Sequence, residues 1–174
     1  AELFYQYKWE ETIIDPPGDS NNDMIVGVYA DTQYGLLIRN IGFTGASLGI
    51  AFFDVDSSAV ISDSFVKLST GVYLSTGSET NLVSGNVIET NISPGLKVEA
   101  SSGNTIKNNL IRANAGGIAI QGSNGIGSNG NLFDGNTIMW NTGPPAVNLQ
   151  AGNNNTFVNN TFSANADIGL EIGD

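Results

Sequence analysis

The apolar positions of this chain recur in short alternating runs separated by polar turns, and the runs repeat at a nearly fixed interval. Asn109, within NTIKNNLIRANAGGIAI, serves as an origin. Asn114 follows five residues later, and then come the apolar pair Ile118 and Ile120. Downstream, Asn136 and Asn141 lead to Val147 and Leu149, and Asn160 and Asn165 lead to Leu170 and Ile172. Upstream, Asn86 and Asn91 lead to Leu96 and Val98, Ser64 and Ser69 to Val72 and Leu74, and Asn40 and Gly45 to Ile50 and Phe52. The origins Asn40, Ser64, Asn86, Asn109, Asn136 and Asn160 are 24, 22, 23, 27 and 24 residues apart. The interval of 27 absorbs a Gly/Asn/Ser-rich insertion from Gly122 to Gly130, read as a loop on one edge.

Apolar residues also recur three before each origin (Ile61, Val83, Ile106, Phe133, Phe157) and two after it (Val66, Ile88, Ile111, Ile138, Phe162). Period-2 alternation in such short runs predicts strands. A repeat of this length predicts stacked coils, since one coil cannot bury its apolar face alone. The fold expected is all-β, a right-handed parallel β-helix of about six coils over 24–174, three short strands to a coil. Residues 1–23 form an N-terminal extension that serves as a cap or a donated strand. Stacking places Asn86, Asn109, Asn136 and Asn160 in one column and Asn91, Asn114, Asn141 and Asn165 in another. Asn tolerates the left-handed conformation a corner needs, and its amide can bond to the Asn one coil away. A helical reading fails on Gly and Asn content and on the β-branched residues at the periodic positions.

Composition narrows function more than fold. The chain of 174 residues holds no Cys and no His. Disulfides, Cys nucleophiles, His/Cys zinc sites and imidazole-based triads are therefore excluded. The formal charge of −11 disfavours nucleic acid and anionic membrane surfaces, and no apolar run is long enough to insert in a bilayer.

Units such as GNVIETNISPGLKVEASSGNTIKNNLIRANAGGIAIQG resemble the parallel β-helix repeats of pectin-lyase-like proteins, and especially the Asn-rich repeats of NosD-type periplasmic and surface proteins. GLLIRNIGFTG is similar to a strand of pectate lyases. The resemblance covers residues 24–174 and implies the solenoid. It implies little about activity, because the fold hosts lyases, epimerases, hydrolases, tailspikes and adhesins. The acidic pairs and Gly-His-Gly segment of the galacturonan hydrolases are missing. By resemblance to the lyases, Arg39 is a candidate base.

Several residues are candidates on their own chemistry. Asp54, Asp56 and Asp63 are a calcium candidate, although their spacing is not that of a calcium loop; Asp15, Asp19 and Asp23 are a second. Lys67, Glu89 and Arg112 fall in one frame position of successive coils, as a cross-coil ion-pair row or a substrate-gripping stripe. Ile41, Phe65, Val87 and Leu110, each following an origin residue, form an outward apolar row needing a cover. Phe4, Tyr5, Tyr7 and Trp9 of the extension, or a neighbouring copy, are the candidates for it.

The C-terminal coil ends on strand residues Leu170 and Ile172, and a bare last coil predicts either further chain or a second copy docked there. The function expected is a structural subunit of the cell surface or extracellular space, assembling end to end into a filament, sheath or surface layer, with enzyme activity left open. The alternative is a carbohydrate-binding or carbohydrate-active solenoid. That reading needs clustered acids, a base and exposed aromatics; Tyr73 and Trp140 are the outward aromatics the pattern shows. No cofactor is expected beyond calcium.

Overall fold

The computed structural model describes residues 12–14 and 26–173. Phe4, Tyr5, Tyr7, Trp9, Asp15, Asp19 and Asp23 lie outside them. The described chain winds into a parallel β-solenoid with three sheets. Sheet I stacks Leu37–Arg39, Ala59–Ile61, Leu82–Ser84, Thr105–Lys107, Leu132–Asp134 and Thr156–Val158. Sheet II stacks Thr12–Ile14, Ile41–Thr44, Ser64–Val66, Val87–Glu89, Leu110–Arg112, Thr137–Met139 and Thr161–Ser163. Sheet III stacks Val26–Tyr34, Leu48–Asp56, Thr70–Ser75, Pro94–Glu99, Gly116–Gln121, Val147–Leu149 and Leu170–Ile172. Each coil runs from I to II to III. Thr12–Ile14 pairs in parallel with Ile41–Thr44 of the same chain, so part of the N-terminal extension continues sheet II. The insertion after Gln121 lies between sheets III and I and holds one isolated bridge, Ser123 with Ile126.

Inward residues form columns at about the 4.8 Å strand spacing. Sheet I contributes Ile38, Val60, Val83, Ile106 and Phe133, and sheet II contributes Phe43, Phe65, Ile88, Ile111 and Ile138, all buried. Where aromatics meet they stack: Phe43 on Phe65 with centroids 4.9 Å apart and Phe133 on Phe157 at 4.6 Å, both nearly parallel. The first five strands of sheet III each carry a glycine as their second residue: Gly27, Gly49, Gly71, Gly95 and Gly117. At Gly71 a Cβ would sit 2.9 Å from the carbonyl oxygen of Gly95, from Ile88 and from Phe65, so the coils approach there only without a side chain.

The corners are built differently from the sequence expectation. The residue before each column Asn takes the left-handed conformation, as at Gly85, Thr90, Asn108, Ala113, Gly135 and Trp140. The column Asn itself is left free to bond along the stack. Asn86 Nδ2 donates to Asn109 Oδ1 (3.0 Å) and to the carbonyl of Val60 (3.0 Å), while Asn109 Oδ1 also accepts the Asn86 backbone N–H (2.9 Å). The same bonding runs through Asn109, Asn136 and Asn160 and through Asn91, Asn114, Asn141 and Asn165. A third column, Asn81, Asn104, Asn131 and Asn155, occupies the corner between sheets III and I.

In the first two coils the frame is one residue off. Asp63, not Ser64, lies under Asn86, and Leu68, not Ser69, lies under Asn91. One coil earlier Ile41 stands where Asn40 was expected. A one-residue slip reverses every side chain. Val60 and Phe65 therefore face inward, where the sequence frame put Ile61 and Val66.

Candidate functional site

The outward face of sheet III carries aromatic, charged and amide side chains in register. In-register pairing aligns Tyr29, Ala51, Tyr73, Lys97, Ala119, Asn148 and Glu171 in one outward row. Two residues on, Asp31, Phe53, Ser75, Glu99 and Gln121 form a second. Tyr29 and Phe53 rings lie 5.4 Å apart, and Phe53 meets Tyr73 edge-on at 5.7 Å. Ala51 is fully buried although it points outward, because its row neighbours are the two tyrosines and Phe53 stands beside them. Tyr29 remains 59% exposed.

Beyond the rings lies a charged cluster. Lys97 Nζ sits 4.9 Å from the centroid of the Tyr73 ring and 3.3 Å from Glu99 Oε2. The Tyr73 hydroxyl donates to the same Oε2 and accepts from Ser75 Oγ at 3.1 Å. Burial, and then the bond to Glu99, hold the Tyr73 phenol above its usual range, so it stays a donor at neutral pH. Gln121 Nε2 and Gln150 Oε1 follow at 3.4 Å. The strip starts beside a cavity of about 380 Å³ lined by Val28, Tyr29, Ala30, Asp31, Leu36 and Ile38 among others. The exposed Tyr29 ring and the half-buried Phe53 ring, next to carboxylates, amides and a hydroxyl, suit a ligand with an apolar face and a polar edge.

The sequence candidates fall elsewhere. Asp54, Asp56 and Asp63 are not brought together, and among the described residues no group of three His, Cys, Asp or Glu side chains is placed to hold a metal ion. Asp56 Oδ1 accepts the Glu79 N–H (2.9 Å), while Asp63 is buried at a corner and accepts the Ile41 N–H (2.8 Å). Phe65 is not an outward residue; it is fully buried on Phe43. The outward row is Gly42, Ser64, Val87, Leu110, Thr137 and Thr161, so only half-buried Val87 and Leu110 remain of the expected apolar patch. Ile41 is half-buried at a corner, Leu170 is half-buried against the core, and Ile172 is exposed.

The charge row also changes. Glu89 Oε2 and Arg112 Nε are 2.5 Å apart, but Val66 stands beside Glu89, and Lys67 occupies a left-handed corner position. Arg39 lies on sheet I, away from the strip. Tyr29 and Phe53 were missed as outward aromatics. The signal was present for Phe53, since alternation that turns Phe52 inward turns its neighbour out.

Three parallel sheets, columns of Asn and a repeat of this length define a parallel β-helix repeat protein of the pectin-lyase-like kind. The chain belongs to the NosD family: the family model described as "Periplasmic copper-binding protein (NosD)" matches residues 5–170. No curated protein matches it. Among solved structures it is similar to a tailspike protein mutant of E. coli bacteriophage HK620 in complex with pentasaccharide, at 12% identity and a TM-score of 0.32. That match covers 82% of this chain and 43% of the tailspike chain.

The family description raises copper, and the residues do not fit it. Copper sites draw on imidazole, thiolate and thioether ligands. This chain has no His and no Cys, and its two Met are Met24, outside the described residues, and Met139, on the outward face of sheet II. Among the described residues no helix is long and apolar enough to cross a membrane.

Proposed function

We propose that this protein is a carbohydrate-binding β-solenoid acting outside the cytoplasm, with the outward strip of sheet III as its binding face. The observation that carries the reading is the coil-by-coil alignment of Tyr29, Phe53 and Tyr73 beside Asp31, Lys97 and Glu99. A pyranose ring presents C–H groups on its faces and hydroxyls at its rim. Aromatic faces take the first, and carboxylate, amide and phenol groups take the second. The family's periplasmic description supports the location.

Lys97, the one cation of the two rows, is held by Glu99 and the Tyr73 ring. The strip therefore favours the carbohydrate alternative over the end-to-end filament. Binding of the purified protein and of Tyr29→Ala and Phe53→Ala to an array of bacterial and plant polysaccharides tests it. Each ring truncation is expected to weaken binding about five- to tenfold, the worth of one aromatic contact of ~1 kcal/mol. Glycan binding unchanged in both variants rejects the strip as the site.

A further inference from the structure

The strip also defines the kind of saccharide, an inference that rests on the carbohydrate reading. Its charged groups are Asp31, Lys97, Glu99 and, at the end of the first row, Glu171. Lys97, the one cation in the two rows, is held by Glu99 at 3.3 Å. A uronate or sulfate on the ligand would therefore meet a lysine neutralised by Glu99, the uncompensated carboxylates of Asp31 and Glu171, and the field of a chain with net charge −11. The same carboxylates are acceptors suited to sugar hydroxyls. Both bonds to Glu99 fall on Oε2, so Oε1 is turned to other donors.

Position along the axis matters as much as charge. The rings occupy the first three strands of sheet III, the Lys97–Glu99 pair the fourth and the Gln121 and Gln150 amides the next two coils. Successive coils are about 4.8 Å apart. That step is close to the advance of one residue in an extended polysaccharide.

We propose that the strip takes an uncharged polysaccharide laid along the solenoid axis, its first sugars on Tyr29 and Phe53 and later ones on the Glu99 and Gln121 groups. Calorimetric titration of the full chain with neutral oligosaccharides of two to six units, and with oligogalacturonates of the same lengths, tests it. Neutral affinity is expected to rise at least about tenfold from dimer to hexamer. Oligogalacturonates should bind at least about tenfold more weakly, with the gap narrowing in 0.5 M salt and in Asp31→Asn. Tighter binding of the galacturonates, or neutral affinity independent of length, overturns the inference while leaving carbohydrate binding intact. Binding of neither series, with no response to Tyr29→Ala on the array, overturns both.

Discussion

The corners of the last four coils and those of the first two share a backbone but not their side chains. From Asn81 onward every corner holds Asn, and each Asn both gives and receives along the stack. In the earlier coils the same places hold Ser58, Asp63, Ile41, Leu68 and Ala46. The left-handed residue ahead of the corner persists in both regions, at Asn40, Ser57, Ser62 and Lys67 as at Asn108 and Ala113. The difference follows from the direction of the bonding. Each Asn Oδ1 accepts the backbone N–H of the coil before it, so the residue at the start of a column needs only its N–H. Leu68 meets that requirement, donating to Asn91 Oδ1 at 2.8 Å while its side chain fills the core. The turn is thus a property of the backbone, and a corner Asn adds to it a side-chain amide that receives the N–H of the coil before.

Mid-column substitution tests this most severely. Asn109→Ala removes the donor to Val83 and Asn136 and the acceptor for Asn86, all buried. Leaving several buried groups unpaired should cost about 3–4 kcal/mol in urea unfolding. A loss under about 1 kcal/mol would show that the columns are ornaments on a core-driven stack.

The same asymmetry explains what could be read from the sequence. Solenoid, coil length and two of the three columns were legible because Asn86, Asn109, Asn136 and Asn160 keep one spacing against the apolar positions. The third was legible too, since Asn81, Asn104, Asn131 and Asn155 each stand five residues before those origins. The first two coils were not. Without Asn at the corner, Ser64 and Asn40 took its place in the alignment, one residue past Asp63 and one before Ile41. That slip turned Phe65 outward and gave the chain an apolar patch it lacks. The binding face was hidden for another reason. Tyr29, Phe53, Tyr73 and Lys97 lie far apart in sequence and share nothing but register, which short strands reveal only once the coils are stacked.

Asp63 gives the second test, because there a carboxylate fills an Asn position. Its Oδ1 accepts the Ile41 N–H, but Oδ2 is buried with no partner. An Asn would place an N–H there, aimed by register at the carbonyl of Ile38, as Asn86 is aimed at that of Val60. A protonated carboxyl can make that bond and a carboxylate cannot. Burial accordingly pushes the Asp63 carboxyl up to about 7 from its ordinary 3.8, against backbone N–H bonds that pull it down. With the folded value above the unfolded one, the folded state holds the proton longer. The stability contributed is complete below about pH 4 and is lost as pH rises through about 7. Asp63→Asn should therefore exceed the wild type by about 2 kcal/mol at pH 8 and converge toward it by pH 4. A constant difference across that range would mean that Asp63 is ionised throughout and that the corner does not require an N–H.

Ser58 should give the smallest effect, and it sharpens the contrast from the opposite side. Its Oγ accepts the Leu36 N–H at 2.9 Å and donates to the carbonyl of Asp56 at 3.0 Å, while its own N–H goes to Asn81 Oδ1. It receives one coil, as an Asn does, but through a shorter side chain at a half-buried neighbour. Ser58→Ala leaves Leu36 N–H without that acceptor, yet within reach of water, and should cost about 1 kcal/mol. Ser58→Asn lengthens the column by one coil and should fall within about 0.5 kcal/mol of the wild type. If Ser58→Ala instead matched Asn109→Ala in urea unfolding, a corner side chain would weigh the same wherever it stood. The direction of the bonding would then not explain why the early coils dispense with Asn.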